Sequence, residues 1–218
     1  MLKADLHVHT CYSKDSTSPI EEIIQHCLEI GIDCLAITDH DTISGALEMK
    51  RTAPFTVIVG EEVLTTCGEI IGLFLSEQVP SYLSPEETVV RIKSQGGLVC
   101  IPHPFDRFRP HSRLRNHALQ DIMNDIDLVE VFNSRTIMQK DSKRALRLAQ
   151  ELGVPGTTGS DAHIVTEVGR SFVELPEFDN AEQFQQSLRN GKIFRSKTST
   201  AIHLYNIKNR VTKLFHRS

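Results

Sequence analysis

The chain has 218 residues, of which 39% are hydrophobic and 24% are charged, and this balance excludes an intrinsically disordered protein. The length is sufficient for one large α/β domain or two small domains. The formal net charge of −4 excludes the global positive field that would by itself indicate nucleic-acid binding.

The first predicted strand covers residues 1–9 and contains two histidines, in the sequence Asp5-Leu6-His7-Val8-His9. Since side chains alternate between the faces of a strand, Asp5, His7 and His9 are expected on one face and Leu6 and Val8 on the other. Polar groups on a packed face cost free energy unless something binds them, so His7 and His9 are candidate metal ligands. A single His-x-His pair is equally typical of surface or hydrogen-bonded histidines.

Strands and helices alternate through the rest of the chain. Ser-Pro followed by acidic residues occurs at 18–22 and again at 84–87, which is the chemistry of a helix N-terminus. Predicted helices cover residues 18–31, 43–51, 84–94, 140–152 and 180–190. Predicted strands cover residues 33–38, 55–63, 69–75, 98–101, 127–132, 155–158, 171–174 and 192–194. This alternation indicates a mostly parallel sheet, either open or closed into a barrel.

The five cysteines are odd in number and include no Cys-x-x-Cys pair, which indicates a reduced protein and no disulfide scaffold. No apolar run approaches the length of a membrane span. The chain passes directly from Met1 into the first predicted strand, so we expect no signal peptide. We therefore expect a cytoplasmic protein.

Histidines and carboxylates recur at or near the carboxyl ends of the predicted strands, at nine positions: His7, His9, Asp15, His40, Glu62, His103, Glu130, Asp161 and His163. In a closed barrel those ends meet at one mouth, so a barrel is favoured over an open sheet. Imidazole and carboxylate are ligands of zinc, manganese and iron. Nine ligands are too many for one ion and indicate two or three ions that share bridging carboxylates. Spacing alone leaves Glu61 as an alternative to Glu62.

Arginines occur in the loops that follow the fifth and sixth predicted strands. A guanidinium group binds phosphate oxygens at two points, so Arg107, Arg109 and Arg135 are candidate substrate-binding residues. Arg107, Arg135 and Asp39 form the candidate catalytic set. Asp5 and Asp39 are candidates to accept a hydrogen bond from a metal-bound imidazole, and a strand-end hydrogen bond is an equal alternative for both.

Six short motifs carry most of these residues. They are Asp-Leu-His-Val-His-Thr at 5–10, Thr-Asp-His-Asp at 38–41, Gly-Glu-Glu at 60–62, Ile-Pro-His-Pro at 101–104, Val-Glu-Val at 129–131 and Gly-Ser-Asp-Ala-His at 159–163. In this order and combination they resemble the motifs of the PHP (polymerase and histidinol phosphatase) family. The resemblance covers residues 3–195.

The resemblance implies a distorted (β/α)7 TIM-like barrel, the PHP fold, with a trinuclear metal site. The implied ligands are His7, His9, Glu62 and Asp161 for one ion, Glu62, His103 and Glu130 for a second, and Asp15, His40 and His163 for a third. All nine positions carry acceptable ligands, which implies two to three divalent ions (Mn, Zn or Fe) and an active enzyme. Residues 1–195 would form the barrel, and the basic tail at 196–218 is expected to dock on it as a helix.

These observations predict a metal-dependent phosphoesterase, a hydrolase in which a hydroxide bridging two metals attacks phosphorus. Phosphomonoesters are the expected substrates, because a small barrel without insertions suits a compact molecule. A phosphodiesterase or 5′–3′ exonuclease acting on nucleic acid or oligonucleotides is one alternative, and a non-catalytic metal-binding accessory domain is another. The expected partner is a small phosphorylated substrate or a short oligonucleotide, with no obligate protein partner.

Overall fold

The structure is a computed structural model and describes residues 1–197 of the chain. The predicted docking of the basic tail falls on residues outside this part, apart from the first two positions of the tail. The described part contains the strands β1 (Leu2–Val8), β2 (Cys34–Ile37), β3 (Thr56–Thr65), β4 (Gly68–Leu73), β5 (Leu98–Ile101), β6 (Leu128–Asn133), β7 (Gly156–Gly159), β8 (Phe172–Leu175) and β9 (Lys192–Phe194). Its α-helices are α1 (Ile20–Ile30), α2 (Ser44–Thr52), α3 (Pro85–Ser94), α4 (Asn116–Asp121), α5 (Gln139–Leu152) and α6 (Ala181–Arg189). A membrane-spanning helix, which must be long and apolar, is not found within these residues.

The nine strands of the described residues form one sheet in the order β7-β6-β5-β4-β3-β2-β1-β8-β9. β1, β2 and β3 are mutually parallel, as are β5, β6 and β7, whereas β4 is antiparallel to both β3 and β5. β8 and β9 extend the sheet from β1 by antiparallel pairing. The predicted alternation of strands and helices is confirmed, and β3 and β4, which were predicted without a helix between them, form an antiparallel hairpin.

The sheet closes on itself between β1 and β7. Val8 and Ala162 form an isolated parallel bridge, and the Asp161 amide donates a hydrogen bond of 2.8 Å to the His7 carbonyl. Gly159 permits this approach, since a Cβ at that position would lie 2.2 Å from the His7 Cβ. β1 to β7 therefore form a ring of seven strands, and the predicted distorted TIM-like barrel is confirmed.

Hydrophobic side chains fill both sides of the ring. The inner cluster combines small residues of the strands, such as Ala36 and Cys100, with Phe184 of α6. The outer cluster packs the strands against the helices, with Ile23 of α1 and Ile92 of α3 among its members. Since β8 runs antiparallel to β1, the following helix α6 closes the end of the ring opposite the mouth. Burial on both faces explains why the strands read as nearly continuous apolar runs.

The alternation predicted for β1 is wrong at one point. The register of β1 against β2 shifts between Asp5 and Val8, and Leu6 packs in the inner cluster while Val8 packs in the outer one. This bulge turns Asp5 to the face opposite that of His7. The Asp5 carboxylate accepts a hydrogen bond of 2.9 Å from the Ser160 amide, so it holds the end of β7 in place rather than orienting an imidazole.

Candidate metal centre

All nine predicted ligand residues lie at the mouth, the end of the ring formed by the carboxyl ends of the parallel strands. They are His7 and His9 at the end of β1, Asp15 in the following loop, His40 after β2, Glu62 in β3, His103 after β5, Glu130 in β6, and Asp161 and His163 after β7. Seven of them are 3% exposed or less; Asp15 and His40 are partly exposed. Burying so many titratable groups is costly unless they bind one another or a cation.

Glu62 lies at the centre of this cluster. Its Oε2 atom is 3.5 Å from His7 Nε2, 3.4 Å from His9 Nε2 and 3.2 Å from His40 Nδ1. Its Oε1 atom is 3.0 Å from His103 Nε2. One carboxylate therefore faces four imidazoles, and its two oxygens face different ones.

Asp15, His40 and His163 form a group beside Glu62. The Oδ2 atom of Asp15 lies 3.2 Å from His163 Nε2 and 3.6 Å from His40 Nε2. The His9 ring lies against both imidazoles, with centroid distances of 4.6 Å to His40 and 4.3 Å to His163. Ring nitrogens of His9, His40 and His163 lie within 4.8 Å of one another, which is close enough to share an ion.

Asp161 uses its two carboxylate oxygens differently. Oδ1 lies 3.4 Å from His9 Nε2 and 3.8 Å from His7 Nε2. Oδ2 accepts hydrogen bonds from the Arg109 guanidinium and from Asn133 Nδ2, the second over 3.1 Å. Protein donors therefore fix one oxygen and leave the other directed at the imidazoles.

Both oxygens of Glu130 are also engaged by protein donors. Oε1 lies 3.0 Å from His7 Nδ1, and Oε2 accepts hydrogen bonds from the His103 amide over 2.8 Å and from Asn133 Nδ2 over 3.0 Å. With Nδ1 occupied, His7 presents Nε2 to Glu62. Carboxylates that orient metal-bound imidazoles make this contact, so the geometry differs from the direct ligand role that the family resemblance implies for Glu130.

Glu69 of β4 belongs to the cluster and was missed by sequence analysis. Its Oε2 atom lies 3.7 Å from His103 Nε2 and its Oε1 atom 3.9 Å from His40 Nδ1. Glu69, His40 and Glu62 form a further group close enough to hold an ion. Ligands were expected at the carboxyl ends of strands, but β4 is antiparallel and brings its amino end to the mouth. The available signal was a carboxylate at the start of an apolar strand.

Charges in the cluster give His9 and Glu62 the forms that bind metal, whereas His7 must release a proton when an ion binds. Burial alone would lower the pKa of His7, but three neighbouring carboxylates, led by Glu62, raise it well above the usual value. Burial and two nearby imidazoles lower the pKa of His9 to about 3, so this ring is neutral. Burial would raise the pKa of Glu62, but His7 and His103 hold it well below the usual value, so the carboxylate stays ionised. Neutral imidazole and ionised carboxylate are the ligand states.

Asp39 reaches the histidines through a hydroxyl group. Its Oδ1 atom accepts hydrogen bonds from the Thr10 amide over 2.6 Å and from Ser13 Oγ over 2.9 Å. Ser13 Oγ in turn lies 3.0 Å from His9 Nδ1 and accepts a hydrogen bond of 3.0 Å from the His40 amide. Ser13 was missed because a serine in a polar loop carries no signal of its own in the sequence.

The three candidate arginines lie in different surroundings. Arg107 donates hydrogen bonds of 2.9 and 3.3 Å to Asp141, and its side chain is 42% exposed. Arg109 donates to three buried side chains, one of which is Asp161. Arg135 Nη1 lies 3.6 Å from Asp161 Oδ1, with 12% of its side chain exposed. Arg109 and Arg135 thus contact residues of the cluster, and Arg107 is paired with Asp141.

The donor set fits divalent ions in both spacing and chemistry. Two ligand atoms on one tetrahedral ion, with bonds of about 2.1 Å, lie about 3.4 Å apart. His7 Nε2 and His9 Nε2 are 3.1 Å apart, and Glu62 Oε2 lies 3.4 Å from His9 Nε2. Imidazole and carboxylate without thiolate suit zinc, manganese or iron. All five cysteines are free, and none belongs to the potential metal-holding groups of the described residues.

The structure also distinguishes Glu62 from Glu61. Glu61 is fully buried on the other side of β3, where its Oε2 atom accepts a hydrogen bond of 2.8 Å from the Val79 amide. Among the described residues, its Oε1 atom has no hydrogen-bond partner. Burial raises the pKa of Glu61 from 4.5 to about 8, so the folded protein keeps this side chain protonated at neutral pH.

Protonation of Glu61 predicts a pH-dependent stability. The folded state binds a proton that the unfolded state releases above pH 4.5, so stability falls as pH rises from 4.5 to about 8. Relative to Glu61→Gln, we expect the wild-type free energy of unfolding to fall by roughly 2 to 4 kcal/mol between pH 5 and pH 8. Chemical denaturation of both metal-free proteins measures this. A difference that is the same at both pH values would show that Glu61 is not protonated in the folded state.

Together, the closed ring and the ligand cluster define an α/β barrel protein with a site able to hold several metal ions. The family model described as "PHP domain" matches residues 5–94, and the model described as "PHP-associated" matches residues 140–193. The chain belongs to the PHP family.

Individual proteins are similar to this chain in sequence or in fold. An uncharacterized protein of Methanocaldococcus jannaschii is 43% identical over 146 residues, which are 61% of this chain and 82% of the relative. PsfC from Pseudomonas syringae has a similar structure, with a TM-score of 0.70, 18% identity and coverage of 97% of this chain and 98% of PsfC. A two-domain protein from Bacteroides vulgatus, described as containing a PHP-like metal-dependent phosphoesterase, gives a TM-score of 0.69 at 16% identity, covering 89% of this chain and 65% of that protein. At these identities the two structures support the fold alone.

Proposed function

We propose that this protein is a metal-dependent phosphoesterase that hydrolyses phosphomonoesters at a multinuclear site. The observation that carries the proposal is the position of Glu62, whose two oxygens lie within 3.5 Å of four imidazoles. A carboxylate that faces imidazoles from both oxygens is suited to bridge two ions. Membership of the PHP family supports the same reading.

The cluster divides into sets of ligands for neighbouring ions. In this proposal Glu62 would be a ligand to two ions, together with His7, His9 and Asp161 for the first and with His103 and Glu69 for the second. Asp15, His40 and His163 would hold a third. Divalent ions in such a site lower the pKa of bound water and neutralise charge on a phosphoryl group.

Other side chains of the cluster bind the substrate or keep the ligands in place. Arg135 lies at the edge of the cluster with 12% of its side chain exposed, so it is suited to bind phosphate oxygens and to stabilise the charge that develops on them. Arg109 is held by buried acceptors and fixes one oxygen of Asp161, which makes it a positioning residue. Glu130 and Asp39 are positioning residues as well. Glu130 contacts His7 directly, and Asp39 acts on His9 through the hydroxyl group of Ser13. Arg107 is a candidate to bind a phosphate group on the part of a substrate that extends out of the mouth.

The proposal is tested by measuring bound metal and phosphoester hydrolysis on the same protein. After reconstitution with Mn²⁺, elemental analysis should find two or more ions per chain, and p-nitrophenyl phosphate should be hydrolysed. His7→Ala should lose both properties, because its imidazole contacts Glu62, whereas the exposed His117 outside the cluster provides a matched His117→Ala control that keeps both.

The remaining outcomes separate this proposal from its alternatives. Preferred hydrolysis of bis(p-nitrophenyl) phosphate or of a single-stranded oligonucleotide would replace the monoesterase by a phosphodiesterase or nuclease. Bound metal without turnover of any ester would favour the non-catalytic accessory domain. Fewer than two ions per chain would contradict the multinuclear site itself.

A further inference from the structure

Three serines meet behind the loop that carries Arg135. Ser134 Oγ lies 2.7 Å from Ser171 Oγ. Ser171 Oγ donates a hydrogen bond of 3.1 Å to the Ser196 carbonyl and accepts one of 3.2 Å from the Ser196 amide. Ser171 is fully buried and Ser134 is 1% exposed, so water does not substitute for these contacts. We call Ser134, Ser171 and Ser196 the serine junction.

The serine junction joins parts of the chain that are distant in sequence. Ser134 follows β6, Ser171 precedes β8 and Ser196 follows β9. β9 runs antiparallel to β8, which runs antiparallel to β1, so the chain leaves β9 at the mouth.

Neighbouring contacts fasten the same segments together. Lys197 Nζ donates a hydrogen bond of 2.7 Å to the Ile137 carbonyl, and the Arg195 guanidinium lies 5.6 Å from the centroid of the Phe132 ring. Residues 195–197 therefore lie along the loop at 132–137 and contact it on both sides of Arg135.

The backbone of Arg135 is held within this loop, while its Nη1 atom lies 2.6 Å from His163 Nδ1. Its amide donates a hydrogen bond of 2.9 Å to Asn133 Oδ1, and the preceding amide, of Ser134, donates one of 3.1 Å to the Gly159 carbonyl. These bonds hold the backbone from the side of the metal centre. The hydroxyl of Ser171 holds it from the opposite side, and no other described element supplies a side-chain hydrogen bond to Ser134.

We propose that Ser171 is a positioning residue for Arg135, which acts through the serine junction to set the phosphate-binding position of the guanidinium. The inference rests on the proposed function, because it takes Arg135 as the phosphate-binding arginine. It assigns a role at the mouth to residues 195–197, which belong to none of the potential metal-holding groups of the described residues. A residue of this kind affects phosphate binding without changing the number of bound ions.

Binding of inorganic phosphate to the Mn²⁺-loaded full chain, followed by calorimetry, tests this inference without requiring turnover. Loss of one buried hydrogen bond should weaken phosphate binding about three- to tenfold in Ser171→Ala and in Ser134→Ala. Manganese content should stay near that of wild type, and the thermal midpoint should fall by roughly 2 to 8 °C because a buried hydrogen bond is lost. Ser187→Ala is the matched control, since Ser187 is a buried serine of α6, remote from the mouth, and should bind phosphate like wild type.

A double-mutant cycle measures the coupling between Ser171 and Arg135 in phosphate affinity, and general destabilisation of the protein does not produce such coupling. If Ser171 acts through Arg135, adding Ser171→Ala to Arg135→Ala should cause no further loss of phosphate affinity. Additive losses, wild-type phosphate affinity in both serine variants, or absence of phosphate binding by the wild type would each overturn the inference. Failure of the proposed function would give a different result. The wild type would then hydrolyse no ester, although Ser171→Ala would still weaken phosphate binding.

Discussion

Glu62→Gln is expected to remove bound metal and to lower kcat/KM for a phosphoester by more than about 100-fold, since changes to residues that only orient metal ligands already cost 10- to 100-fold. The amide replaces an oxygen that faces imidazole nitrogens, and the substitution removes the negative charge that two ions would share. Elemental analysis after Mn²⁺ reconstitution and hydrolysis of p-nitrophenyl phosphate measure the two effects.

The adjacent residue provides the control. Glu61→Gln makes the same chemical change one position earlier in β3, but Glu61 is directed away from the cluster and bonds to the Val79 amide. This variant should keep its metal and its activity. If Glu62→Gln retained metal to the same extent as Glu61→Gln, the assignment of Glu62 as the bridging ligand would be wrong.

The second large effect distinguishes Glu69 from Glu130. Glu69→Gln should lose about one ion per chain, because Glu69 faces His103 and His40 without a protein donor between them. Glu130→Gln should bind the same number of ions but about 10- to 100-fold more weakly. Glu130 contacts Nδ1 of His7 and so orients this imidazole without facing the ions directly.

Metal titration with quantification of bound Mn²⁺ separates these outcomes. Glu69→Asp serves as the conservative variant and should recover part of the lost ion, since it keeps the charge on a shorter side chain. Loss of an ion from Glu130→Gln with full retention in Glu69→Gln would reverse the assignment and restore the ligand set that the family resemblance implies.

The barrel could be predicted from the sequence because burial on both faces of the strands leaves long apolar runs, and the helices between them carry clear start and stop residues. At α3, Ser84 and Glu87 form the capping box that Ser-Pro-Glu-Glu indicates. At α1, Gly31 ends the helix in the left-handed conformation with φ of 68°. Such signals are local, so they do not depend on the rest of the fold.

The missed features depend on strand direction and register, which are not local. Glu69 reaches the mouth only because β4 is antiparallel. The link at 64–68 is too short for a crossover helix and was the signal in the sequence for this reversed strand. The bulge in β1 similarly turned Asp5 away from the face of His7. Contacts such as that of Arg107 with Asp141 join loops and helices whose relative placement follows from the finished fold.

Closure of the ring between β1 and β7 has a consequence for how the protein is made. The two ends that meet are far apart in the chain: the hydrogen bond from the Ser160 amide to Asp5 spans 155 residues. Pairing over such a distance has a high entropic cost and forms slowly. During synthesis the first histidines leave the ribosome well before Asp161 and His163 exist. We expect ions to be captured after the last ligands have emerged and the ring has closed, so that metal supply governs maturation of the finished barrel rather than its early folding.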